Sequence, residues 1–462
     1  MARHDRDPNR QARERPPRIP ATRPTGIALA VLVTAALAAA LALGFISTAR
    51  AATGTEWQRV FGSANTIDEM TGLASAPNGG VYVVGLTGSP NEDALAIRYA
   101  ATGRRVWART YNDPADMIDD FSAATTDKRG DLVAVGVGNG SNTTSNILVA
   151  KYAPGGKRLW VRLFDDPSTA AEYASYVRTD AFGNVFVAGG NFGSGSETIL
   201  VKYSRAGVRK WVRHYSGGGM GSSVGGMGLD GAGNVYLAGT HEDATGAADM
   251  LTLKYNPAGR RLWARTWNSA DNLYDVAQAM AVARDGSSYA AGYTSTSTTG
   301  RATVLKYGRN GGLKWARAYA PPGGASYEGI ALLHGGDIAL GGVVDTNGSD
   351  GLIARLSPRG TTRWVRAFNG PANSSDDLER LTVSPAGAIY LAGSTYSPTT
   401  SYDIVTVKYT GTGTFVWDKV YDAAGASDQQ NASAVTFNAG VYVAGFQAGT
   451  NGSDGVTLRY TP

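Results

Sequence analysis

Seven carboxylates recur at nearly one place in this 462-residue chain. Asp68, Asp119, Glu172, Asp275, Glu328, Asp377 and Asp428 each follow a tryptophan by 11–13 residues. Only the fourth copy lacks an acid there, where the Gly-rich run SGGGMGSSVGGMG stands instead. Carboxylates ringing one opening would suit a hard cation such as Ca²⁺, which takes about six to eight oxygens, or a basic partner. Repeated one per copy, each would instead accept backbone N–H groups and pin its own loop. A second acid position, six residues before a tyrosine, holds Asp93, Glu197, Asp249, Asp403 and Asp454.

Other chemistry is sparse. There is no cysteine, so no disulfide scaffold, thiol nucleophile or Cys-ligated metal is available. His214, His241 and His334 have no metal-ligand spacing, and neither GxSxG nor HExxH occurs. His241-Glu242-Asp243 could supply a ligand or an acid–base group, but reads more simply as a solvated loop. The Gly-rich run is no phosphate cradle, because no Lys-Ser/Thr follows it and no helix opens there.

The elements that must position these acids come from one repeat. Trp57, Trp107, Trp160, Trp211, Trp263, Trp315, Trp364 and Trp417 are spaced 49–53 residues apart, a period that signals a solenoid or propeller. Each opens W-x-[RK]-x-aromatic, as in WARTY and WVRHY. Alternation at i, i+2 and i+4 puts the marked residues on one strand face. Three more strand-like runs follow each Trp: one before a Gly turn, one of the GNVYLAG type, and one ending in a basic residue and Tyr, as in TILVKY. Four strands per repeat predict an all-β chain forming a single eight-bladed β-propeller of four antiparallel strands per blade. The first strand, residues 56–62, is offset and would complete the last blade. Eight indoles in phase predict packing between neighbouring blades, with the Arg able to stack on them, more readily than an aromatic binding ladder.

GNVYLAG, the KY ending and the xLWxRxY strand resemble the SBBP-type bacterial β-propeller repeat across residues 57–460. The family name implies seven blades, whereas this chain carries eight copies. The resemblance implies a fold and no single activity.

Residues 1–25 hold seven Arg, residues 27–45 are almost wholly apolar, and Ala49-Arg50-Ala51 fits a small-x-small cleavage site. Residues 1–51 therefore read as an export signal cut after Ala51, leaving 52–462 as a secreted propeller. Uncut, the segment would anchor the protein at the cell surface. Outside residues 1–51 the basic and acidic residues balance, which argues against nucleic acid as a partner. The charges segregate all the same. Most acids fall in the connections between blades and between second and third strands, whereas the seven turns between third and fourth strands hold 13 Lys or Arg and no acid. The expectation is a monomeric, non-enzymatic extracellular scaffold that binds a protein, glycan or cation through its acidic loop face. The alternative is a hydrolase or lyase using carboxylates at the channel mouth.

Overall fold

Runs such as VYVVG (81–85) and LVAVG (132–136) are apolar at every position, and all ten of these residues are buried. Strands covered on both faces read this way. The strands on either side of them alternate, as in Ile67–Ser75 and Arg158–Phe164. The computed structural model describes residues 56–462 apart from 63–64, 114–116, 140–144, 167–170, 193–194, 219, 272, 347, 371, 400, 424–427, 430 and 450; the side chains of 428–429, 431–433 and 449 are also left undescribed. The export signal and its cut after Ala51 lie outside the described residues.

The chain is all-β and propeller-like. Its strands pair as consecutive four-stranded antiparallel groups, each running from an inner strand through two buried strands to an outer one. The inner strands are Ile67–Ser75, Asp120–Thr126, Glu172–Thr179, Gly221–Leu229, Asp275–Val282, Ala325–Leu332, Asp376–Val383 and Asn431–Phe437. Each touches the inner strand of the next group, and the last touches the first. In the final group the outer strand is Trp57–Phe61, which pairs Trp57 with Arg459 and Phe61 with Gly455. The ends of the chain thus share one sheet. Asn438 Nδ2 donates to Ala76 O at 2.8 Å, and the Tyr442 hydroxyl donates to Gly79 O, tying the last group to the first.

The repeated Trp-x-Arg joins each sheet to the next. Trp107 Nε1 donates to Pro154 O at 2.9 Å, and Arg109 Nε donates to Gly156 O at 2.9 Å. Trp160 and Arg162 reach Arg205 O and Gly207 O in the same way, at 3.0 and 2.8 Å. The glycine is required twice over. Gly156 has φ +85°, and a Cβ there would fall 2.7 Å from Trp107 Cγ. The guanidinium also lies over its own indole, 5.9 Å from the ring centroid for Arg162 and Trp160. The Gly-rich fourth copy has a packing reason as well. A Cβ at Gly225 would meet Ala277 O at 2.1 Å and one at Gly226 would meet Met280 N at 2.6 Å, so this inner strand closes tightly on the fifth.

Candidate functional site

Every inner strand contains a register shift, a β-bulge, near its start. Pairing across it shows which residues are equivalent. Asp68 pairs with Thr87, Glu172 with Asn191, Ser222 with His241, and Asp275 with Thr294. Asp119 stands at the same place, just ahead of the Asp120–Val137 pair. In the sixth sheet the equivalent residue is Ala325, and in the seventh it is Asp376. The structure therefore separates the seven expected acids. Asp68, Asp119, Glu172 and Asp275 share a register position, while Glu328 and Asp377 sit farther along their strands. Asp428 precedes its inner strand and lies in the short strand Asp428–Gln429, paired in parallel with Ser401 and Tyr402 of the seventh sheet. Counting from the tryptophan slipped because the loops between sheets differ in length.

The carboxylates at the shared position are buried, between 0% and 1% exposed. Asp119 accepts the Asp113 N–H at 2.7 Å, Asp275 the Ser269 N–H at 2.6 Å, and Asp376 the Gly370 N–H at 2.5 Å. In all three the donor lies six residues upstream, so the acid closes the loop that enters its own sheet. Asp68 accepts the Thr66 hydroxyl at 2.5 Å and the Thr87 hydroxyl. In the fourth sheet the Ser222 hydroxyl substitutes, donating to Tyr215 O and accepting Thr198 N–H at 3.1 Å.

Each pinned acid faces the third strand of the preceding sheet, where the second acid position lies. Burial raises the Asp119 pKa to about 7, with the nearby Asp113 and Asp93 charges adding to it. Burial likewise raises Asp376 to about 6, with Asp350 close by, and raises Asp275, with Asp249 close by. Such pairs titrate together. Asp350 belongs to this second position although it was missed in sequence, because its copy ends in Arg355-Leu356 instead of Lys-Tyr. Among the described residues, no group of three or more His, Asp and Glu side chains is assembled for a metal ion.

The same end of the sheets carries exposed apolar groups. Ile118 is 53% exposed, Phe192 59%, Met220 54% and Tyr274 57%, with Ile67, Met117 and Leu273 less so. All lie in connections entering an inner strand or leaving a second strand, which antiparallel pairing puts at one end. His214 stands at this rim between Asp166, 3.0 Å from Nε2, and Glu197, 3.1 Å from Nδ1. Arg301 pairs with Asp271 at 2.7 Å.

The inner strands also depart from their own repeat. At the bulge the residue is Thr71, Ser122, Ser175 or Gly225 in the first four sheets, but Gln278, Glu328 and Glu379 in the next three. The Thr71 and Ser122 hydroxyls donate to the adjoining inner strand, at Phe121 O and Ala174 O. Glu328 instead accepts the Ser326 hydroxyl of its own strand at 3.0 Å. One residue on, Tyr176 and Arg380 occupy a position that is otherwise glycine or alanine. Arg178 stands where the other copies have alanine, glycine or threonine. Searching for repetition conceals residues of this kind, which differ from copy to copy.

No protein-family model matches the chain, and no curated protein matches it in sequence. Solved structures do resemble it. Sqt1 from Chaetomium thermophilum has a TM-score of 0.57 at 12% identity, covering 88% of this chain and 98% of that one. Sqt1 bound to the N-terminus of the ribosomal protein L10 gives a TM-score of 0.56 at 12% identity, with 87% and 98% covered. Puromycin hydrolase gives 0.48 at 16% identity, over 87% of this chain and 62% of its own. At these identities the likeness is one of fold alone.

Proposed function

We propose that this chain is an exported eight-bladed β-propeller built from SBBP-type repeats, acting as a non-enzymatic scaffold that docks a basic, partly apolar polypeptide on its acidic loop face. The observation that carries this is the set of exposed apolar side chains on the face where the acids gather. Large apolar groups exposed beside charge suit an interaction surface, and an acidic rim speeds the approach of a basic partner. Sqt1, a structure of similar fold, is seen with a protein N-terminus bound, which is in keeping with a polypeptide ligand. A hydrolase or lyase with carboxylates at the channel mouth would need acids that a substrate can touch. Asp119, Asp275 and Asp376 are instead covered by protein.

The test uses a synthetic peptide carrying alternating lysine and leucine, its glutamate-for-lysine counterpart, and an acidic polysaccharide as a third probe. The basic peptide alone should bind, with an association rate that falls as NaCl rises. Ile118→Ser, Phe192→Ser and Tyr274→Ser together should weaken it at least tenfold. Equal binding of both peptides, or preference for the polysaccharide, would overturn the reading. Export is tested separately: the protein recovered outside the cell should begin at Ala52, and an intact residue 1–51 segment on membrane-held protein would replace the secreted form with an anchored one.

A further inference from the structure

At the join between the fourth and fifth sheets, four residues depart from the repeat together. Trp267 stands where the other seven copies have Phe or Tyr. Leu313, 46% exposed, stands where the second, third and fourth sheets have Arg158, Arg209 and Arg261. Those arginines lie over the aromatic of the preceding sheet, 5.8 Å from the Tyr111 centroid, 5.3 Å from Phe164 and 5.1 Å from Tyr215. Leucine brings no such cation, and among the described residues none lies over Trp267. Ala318 replaces the larger Leu163 and His214 of the second and third sheets. Arg301, six residues before Tyr307, reverses the charge of a position that is Asp or Glu in six other copies and Asn146 in the seventh.

These departures meet at one cavity. Trp267, Arg301, Ala316 and Ala318 line a space of about 210 Å³. Trp267 is half-buried and packs against the core between the two sheets. The Thr303 hydroxyl donates to Arg301 O at 3.1 Å, which fixes the backbone there. Arg301 Nη1 meets Asp271 at 2.7 Å, and the two side chains are 37% and 33% exposed. Arg317 also lines the space, but its Nε and Nη1 already donate to Gly360 O and Ala316 O. The cavity thus offers an aromatic face beside an accessible ion pair. That pair is neutral as a whole, so it selects neither a cation nor an anion, yet it sets N–H donors next to carboxylate acceptors. An indole face carries negative charge density, which favours the weakly positive C–H groups of a saturated ring. A pyranose has both surfaces, C–H groups on its face and hydroxyls round its edge. Drug-sized ligands occupy ~300–1,000 Å³, so this smaller space suits a single sugar ring.

We infer that the cavity binds one neutral hexose unit of a glycan, stacked on Trp267 with its hydroxyls on Arg301 and Asp271. The site does not rest on peptide docking. The experiment is a saturation-transfer NMR titration of the full chain with the methyl glycosides of glucose, galactose, mannose and N-acetylglucosamine. Tetramethylammonium, which would fill the place of the missing arginine, and indole-3-acetate, which would stack as an aromatic anion, are the comparisons. At least one glycoside should bind saturably and more tightly than either. Leu313→Arg restores the repeat at an exposed position, so it should leave melting unchanged or raised while weakening the glycoside at least tenfold. Arg301→Gln should weaken it as much, with melting still cooperative, and Trp267→Phe should retain more affinity than Trp267→Ala. Absence of saturable binding by every glycoside would overturn the inference. So would glycoside binding that survives Leu313→Arg or Arg301→Gln, or tighter binding of tetramethylammonium or indole-3-acetate than of every glycoside.

Discussion

At the scale of single residues, burial makes Asp119, Asp275 and Asp376 hold protons more tightly than free carboxyls do. Asp119 holds its proton to about pH 7 when folded, against about 3.9 for an unperturbed carboxyl. The folded state therefore binds more protons than the unfolded one through this interval, and stability falls as pH rises from about 4 to about 7. Melting temperature should accordingly rise on acidifying from pH 8 to pH 5, and Asp119→Asn should flatten that rise; an unchanged slope would mean that Asp119 is ionised in the fold. Glycine offers a second residue-scale test. Gly156→Ala forces a Cβ into the Trp107 ring at positive φ and should destabilise by ~1–3 kcal/mol, as overpacking does. Gly155→Ala, with nothing within 4 Å, should stay within ~0.5 kcal/mol of wild type in the same denaturant titration.

At the scale of elements, each outer strand is held to the next sheet by its Trp and Arg reaching into a turn. Trp160 is 9% exposed and packs in the core formed between the second and third sheets. Trp160→Ala should lower stability by ~3–5 kcal/mol, the range for deleting a large buried aromatic, measured by denaturant unfolding. A near-zero change would reopen the aromatic-ladder reading. The strand Trp57–Phe61 covers what would otherwise be a free edge of Gly452–Tyr460. Exposed edges invite pairing between chains. Deleting residues 56–61 should therefore produce oligomers or precipitate, visible by light scattering, where the complete chain stays monomeric.

At the scale of the whole molecule, the two ends of the sheets carry opposite charge although residues 52–462 balance overall. The Lys and Arg gathered in the turns before Trp107, Trp160, Trp211, Trp263, Trp315 and Trp364, against the acidic connections at the other end, give the molecule a dipole, which acts on association rates more than on fold. Ca²⁺, expected from the repeated acids, is a separate proposal that is tested at this scale. Its candidate places are the acid pairs between sheets, Asp93 with Asp119, Asp249 with Asp275 and Asp350 with Asp376. A cation there competes with the bound proton, so millimolar Ca²⁺ should raise the melting temperature more at pH 8 than at pH 5 and more than NaCl of equal ionic strength. Stability that responds equally to both salts would remove Ca²⁺ and leave these acids as loop pins.

The sequence alone determined the repeat, its period and the offset of its first strand, because close-packed sheets demand the same Trp, Arg and Gly at every join. It also showed which turns are basic and which loops acidic. What it could not reveal was register. A bulge and loops of unequal length shift the count from tryptophan by up to three residues, so Ala325 and Asp376 take the places that spacing assigned to Glu328 and Asp377. Nor could it tell a carboxylate facing a channel from one sealed between sheets, since both sit at the start of the same strand. Only the closed ring sets Glu328 of one inner strand beside Glu379 and Arg380 of the next.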